Sequence, residues 1–349
     1  MRQGIVIAAM YALIASASPP RAASAQDTVP DLERYLRQMG LSSKELGAAA
    51  RGRAVAKLLP TRNGNDVTVF AVVGVRASRD TVVSYARDAD RFLSANGRQF
   101  DVLGDPPEST DVHRVAFDES EYRDLRSCRP RDCRFKLPEG LMTAFAEQVD
   151  WSARDAKAQV DGILRDALVR LAVDYLSRGS PATLPYDDVR GVRSGDVFAE
   201  IAGPSTDLYA YPVDLERYLT MYPAVRPIGM HDYLYWAEDR FSGLRPTITL
   251  NHLVIHAPPG DTAGAVFIAS KQLYSNHYFD GGFELITVVD ASEAATQPAV
   301  YLLTVRRLRF DHLPRGLLNV RGRVRSRMVD ATRRDLERHR AAIERSGDP

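Results

Sequence analysis

Cysteine is scarce: the 349 residues contain only Cys128 and Cys133. Two thiols alone do not make a zinc site, and the run from Cys128 to Cys133, with Pro130 between, is not the C-x-x-C-H of a covalent haem attachment. A dominant charge is lacking too. Lysine plus arginine number 46 against 45 aspartate plus glutamate, a net charge of +1. That balance argues against nucleic acid as a partner, because phosphate binding draws on a basic excess. Apart from one short N-terminal run, no stretch approaches the roughly 18 uncharged apolar residues of a spanning helix. There is no internal repeat, no low-complexity region and no phosphate-cradling P-loop or G-x-G-x-x-G. No G-x-S-x-G elbow frames a serine, and no H-x-H or H-E-x-x-H spacing marks a metal site. No cofactor or metal is expected.

The N-terminal run is the first positive signal. Met1-Arg2 is a short positive region, Ile5 to Ile14 is apolar, and Ala23-Ser24-Ala25 supplies the small residues of a cleavage site. The sequence predicts a signal peptide over 1–25, cleaved after Ala25, and a periplasmic or secreted mature protein. In an oxidising compartment the close cysteine pair is expected to be a local disulfide pinning a turn. A redox-active pair, a metal site or free thiols are the alternatives.

The mature chain is expected to start with a helical segment over 26–60, in which Leu32, Tyr35, Leu36 and Met39 fall at helical spacing and Leu46, Val55, Leu58 and Leu59 form a second short helix. Residues 66–76, DVTVFAVVGVR, read as a strand, and Ser78 caps the helix that follows. Two short strands are expected over 99–103 and 112–117. Helical periodicity then dominates 118–230, including a long apolar stripe through Val160, Leu164, Leu168 and Tyr175. An aromatic segment around Tyr235 and Trp236 leads into four long β-branched and aromatic segments between Thr247 and Arg309. One long helix is expected from 313 to 344. A meander with one buried face needs a cover, and that helix is the available one.

The expected fold is therefore α+β: a curved antiparallel sheet packed on a long C-terminal helix, built from 61–117 and 231–349, with a helical insertion over 118–230. In this order of elements the chain resembles the START-like, or helix-grip, superfamily. The pieces that carry the resemblance are DVTVFAVVGVRASRDTVVSYARDADRF and the meander plus helix from Thr247 to Glu344, about half of the mature chain. CRPRDCRFKLP and ASKQLYSNHYFD also look like stretches of exported bacterial proteins of unknown activity. The superfamily resemblance implies a cavity between sheet and helix that binds a lipophilic small molecule or lipid without catalysis.

Candidate site residues cluster in the meander. His252 and His256 lie four apart, on one strand face with Ile248, Leu250 and Val254. Strict alternation puts His277, Phe279, Gly281, Phe283 and Leu285 on one face of the third segment and Asp280 and Glu284 on the other. As an enzyme, the protein would set a histidine beside Asp280 or Glu284 as base and orienter; otherwise these are hydrogen-bonded structural histidines. Gly281-Gly282 marks a bend, a bulge or a close ligand approach. Lys271, among apolar neighbours, either faces solvent or reaches into a cavity to hold an anionic head group. Arg306, Arg307, Arg309, Arg315, Arg321, Arg323, Arg325 and Arg327 give the C-terminal region a basic bias. They form either an ordinary ion-paired face or a contact with an anionic membrane surface. An envelope protein-interaction module, using Tyr235, Trp236 and this helix, is the third reading.

Overall fold

A computed structural model describes residues 31–188, 191–240, 244–258, 265–291, 298–312 and 320–347. Residues 1–25, where a signal peptide is expected, and Arg315 lie outside them. The chain opens with helices α1 (Leu32–Gln38) and α2 (Ser43–Ala50), then a hairpin of β1 (Val55–Leu59) and β2 (Asp66–Val75). Helices α3 (Arg79–Arg87) and α4 (Ala89–Ser94) lead to the short β3 (Gln99–Val102). Five helices follow: α5 (Glu119–Leu125), α6 (Glu139–Gln148), α7 (Ala156–Arg178), α8 (Ser194–Ile201) and α9 (Val213–Met221). The long meander is β4 (Met230–Asp239), β5 (Thr247–His256), β6 (Ala265–Ser275), β7 (Phe279–Asp290) and β8 (Val300–Phe310), and α10 (Val320–Gly347) closes the chain.

All eight strands form one antiparallel sheet in the order β1-β2-β8-β7-β6-β5-β4-β3. The sheet is curved and unclosed, with the two shortest strands, β1 and β3, at its edges. The fold is the α+β arrangement expected, with three corrections to its parts. Residues 55–59 are a strand rather than a helix, because β2 offers them an open edge and tertiary pairing overrides a weak local preference. Residues 112–117 are not a strand: a 3-10 turn over Ser109–Val112 occupies their start. The aromatic segment is itself a ten-residue strand, β4, paired along its length with β5.

The sheet is buried on both faces, where the sequence pointed to one. Helix α10 with α3 and α4 covers the first face, where Val73, Ile255, Ile286, Val288 and Leu302 meet Val82, Tyr85, Phe92, Leu336 and Ile343. Helices α5 to α9 cover the second through one continuous core that joins Phe145, Leu164, Tyr175, Phe198 and Tyr218 to Leu250, Phe267, Leu285 and Leu303. Burial on both sides explains why β2 reads as an unbroken apolar run instead of alternating. Local signals fix the helix ends: Ser42 and Glu45 form a capping box on α2, and the Ser78 side chain accepts from Thr81 N at α3. Cys128 and Cys133 form a disulfide across the turn that follows α5.

Candidate functional site

The cavity anticipated between sheet and C-terminal helix exists, with a volume of about 600 Å³. Its floor is the sheet face carrying Tyr235, Thr249, Asn251, Ser270, Gln272, Glu284 and Arg306, and its roof is the α10 face carrying Arg327, Met328, Ala331, Arg334, Asp335 and Arg338. Asn96 to Arg98, between α4 and β3, and Gln99 at the start of β3 close one side. Period-two alternation and the helical spacing of α10 bring these side chains together. The lining is mixed, a charged part and an apolar part of similar extent. Arg98, Arg240, Arg306, Arg327, Arg334 and Arg338 contribute six guanidiniums against four carboxylates from Glu238, Asp239, Glu284 and Asp335. Phe279, Phe283, Leu308 and Met328 form the apolar wall.

The charges inside are partly spent on one another. Arg306 bridges sheet and roof, donating to Glu284 Oε1 at 2.9 Å and to Asp335 Oδ2 at 3.1 Å. Burial works against its charge, but Glu284 and Asp335 outweigh it and hold its pKa above the ordinary value. Arg98 sits 3.5 Å from Asp239 and over the Tyr235 ring. Two buried donors of the lining, Arg98 Nε and Gln272 Nε2, have no hydrogen-bond partner among the described residues. A buried donor without an acceptor costs about 1–3 kcal/mol, so groups of this kind mark places where a ligand or water supplies one. Tyr235 Oη lies 3.1 Å from Ser270 Oγ at the floor.

No protein-family model and no curated protein matches this sequence.

The other candidates lie on the opposite face. His252 Nε2 is 2.9 Å from Asp232 Oδ2, and its Nδ1 is 2.9 Å from the Tyr175 hydroxyl. Tyr218 donates to the same Asp232 oxygen, and Arg226 pairs with the other. Burial lowers the His252 pKa against the pull of Asp232; for Asp232 burial raises the pKa, but His252, Tyr218 and Arg226 overcome it and the net shift is downward. The two directions agree on a neutral imidazole that donates to an ionised carboxylate and accepts from Tyr175. His256 shares this strand face as expected; burial lowers its pKa, and its Nδ1 has no partner among the described residues. Trp236 also points this way, its indole N–H donating to Asp111 O at 3.0 Å, while its neighbour Tyr235 faces the cavity.

The proposed grouping of His277 with Asp280 or Glu284 is not what forms. A bulge between Phe279 and Gly281 inserts Asp280 as an extra residue and breaks the alternation, so Glu284 reaches the α10 cavity and Asp280 does not. His277 instead pairs its Nε2 with Glu121 of α5, both buried. Asp280, fully buried, accepts from Lys136 Nζ at 2.6 Å, and Lys136 also reaches Asp188 at 3.1 Å across the Tyr186 face. Glu121 and Lys136 went unrecognised because each lies more than a hundred residues from its partner. The one local hint was a lysine between Phe135 and Leu137. Lys271 faces no solvent: it is wholly buried, donating to Ser180 Oγ at 2.7 Å and Leu219 O at 2.8 Å. Among the described residues no three His, Cys, Asp or Glu side chains are grouped to hold a metal ion.

Proposed function

We propose that the protein is an exported binding protein, built on the helix-grip plan, whose cavity beneath α10 takes an amphiphile with an anionic head. The observation that carries this reading is the pair of partnerless buried donors, Arg98 Nε and Gln272 Nε2, in a lining where guanidiniums outnumber carboxylates. An acidic head group supplies the missing acceptors and balances the charge. Phe279, Phe283, Leu308 and Met328 offer contact to an apolar part, so the expected ligand carries both a polar head and an apolar portion. Arg321, Arg323, Arg325 and Arg327 lie in the first turns of α10, with Arg327 at the cavity, where a basic surface would meet anionic head groups of a membrane. Export is supported by the N-terminal run and the Cys128–Cys133 disulfide.

The test is native mass spectrometry of protein from the envelope of its host, then titration with dodecanoate. An acidic amphiphile is expected to co-purify. Gln272→Leu, which removes a neutral donor, is expected to weaken dodecanoate binding about tenfold, the equivalent of one hydrogen bond of about 1.4 kcal/mol. Arg334→Ala, at an exposed roof position, is expected to reduce the salt dependence of binding. Unchanged affinity in both variants, or no binding by the wild type, overturns the assignment.

A further inference from the structure

On the face of the sheet away from the cavity, Lys271 has surroundings that a structural lysine does not need. It sits mid-strand on β6, opposite His252 on β5, with the Phe198 and Tyr175 rings 4.5 and 5.2 Å from its ammonium nitrogen. No carboxylate forms an ion pair with it among the described residues. A buried lysine in an ion pair remains an ammonium, whereas burial with no carboxylate beside it favours the neutral amine, here against the attraction of the two ring faces for the charged form. Burial brings its pKa down to about 7. The other titratable groups around it are His252 and Tyr175, with Asp232 and Arg226 behind the imidazole and Arg193 and Asp196 at the surface rim.

The partner of Lys271 is a serine with access to solvent. Ser180 is half-buried and borders a surface concavity of about 560 Å³ with Pro181, Phe198, Thr220, Arg193 and Asp196. The local backbone holds it there. Helix α7 ends at Gly179, whose φ of +65° turns the chain, and whose absent Cβ would lie 1.8 Å from Tyr222 O. Only glycine fits that approach, so the position of Ser180 is fixed by close packing. Lys271 Nζ is fixed in turn by its bond to Leu219 O in α9. A nucleophile and a base within hydrogen-bond reach, with the base oriented by a third group, is the arrangement that activates a hydroxyl. It does not depend on a G-x-S-x-G elbow, and serine–lysine pairs serve this purpose on unrelated folds.

We infer that Ser180 and Lys271 form a nucleophile–base pair that hydrolyses small carboxylic esters bound in this concavity. Ser180 Oγ attacks the ester carbonyl carbon while its proton passes to the neutral Lys271 Nζ. The C–O bond to the alcohol then breaks, and the alkoxide leaves with that proton. In the second half, water attacks the acyl-serine, Lys271 takes the proton from water and returns it to Ser180 Oγ, and the carboxylic acid departs. No oxidant, metal or further co-reactant enters the balance. This activity is independent of the proposed cavity ligand, because the two sites lie on opposite faces of the sheet.

The probe is 4-nitrophenyl acetate, with nitrophenolate release followed over pH and the acetylated residue mapped by peptide mass spectrometry. The expected result is a transient acetyl group on Ser180, with a rate that rises with pH through about 7 as Lys271 loses its proton. Ser180→Ala, which also takes one acceptor from Lys271 Nζ, is expected to stay folded with lowered thermal stability and to lose more than about a hundredfold in rate. Lys271→Met is expected to lose the same. If that variant does not fold, the pH profile of the wild type decides, since a rate flat through pH 7 removes the base. Acetylation found only on other residues, or an Ser180→Ala rate equal to wild type, overturns the inference.

Discussion

Replacing Lys136 with methionine is expected to destabilise the protein by about 3–5 kcal/mol, the usual cost of removing one partner from a buried ion pair. Asp280 is fully buried, and Lys136 Nζ stands 2.6 Å from it and 3.1 Å from Asp188. The variant leaves two carboxylates facing each other's field without that ammonium between them. Urea denaturation at neutral pH measures the loss. Adding Asp280→Leu to Lys136→Met is expected to recover part of it, because a packed apolar pair requires no compensation for a stranded charge. A double variant as unstable as the sum of the single ones would mean that the pair contributes nothing beyond its separate contacts.

Acid is expected to weaken the fold well before the carboxylates titrate, and His339 of α10 is the main cause. Its imidazole is buried against Phe92, with Nδ1 2.9 Å from the Tyr85 hydroxyl, and burial pushes its pKa from 6.5 down to about 4. The unfolded chain therefore takes up a proton that the native state refuses. Stability contributed by the neutral ring is complete above about pH 6.5 and is lost progressively as pH falls toward 4. At about 1.4 kcal/mol per pKa unit the full loss is about 3 kcal/mol. His252 and His256, whose pKa values are also lowered by burial, add to the same acid limb. His339→Gln keeps a group able to meet Tyr85 and removes only its own share. Urea midpoints compared at pH 7 and pH 5 are expected to fall less in this variant than in wild type; equal falls would assign the acid sensitivity elsewhere.

What the sequence revealed followed from local periodicity. The strands of the meander, the capped helix at Ser78 and the long terminal helix each carry their pattern within one window. Alternation alone placed His252 and His256 on one face with Leu250 and Val254, and the structure keeps that face. Lys271, expected to face solvent or a cavity with an anionic head group, instead shares the core face of β6 with Ala269 and Leu273. Where local pattern and tertiary contact compete, the pattern fails. Val55 to Leu59 contains good helix formers and becomes a strand because β2 has an edge to offer. Asp280 left its expected face because a bulge shifts the pleat by one residue. Glu121, Lys136 and Ser180 were invisible as site residues, since their partners on β6, β7 and the loop before β7 are distant in sequence and no spacing records the meeting.

The strand order has a consequence for how the chain comes to be folded at all. β2, near the start, lies between β1 and β8, the last strand to be made, with Val69 opposite Arg306. Until β8 has been synthesised, the apolar run of β2 has an unpaired backbone edge, and α10, which covers its outer face, comes later still. Contacts of such sequence separation make for slow folding and leave sticky intermediates exposed. A nascent chain of this design has every strand up to β7 in hand and still cannot join the β1–β2 hairpin to the rest of the sheet. Holding it extended until synthesis ends therefore forgoes only the contacts of β2 with the β1 hairpin and with α1 and α2, and a shortened chain ending before β8 is expected to aggregate instead of forming a smaller domain.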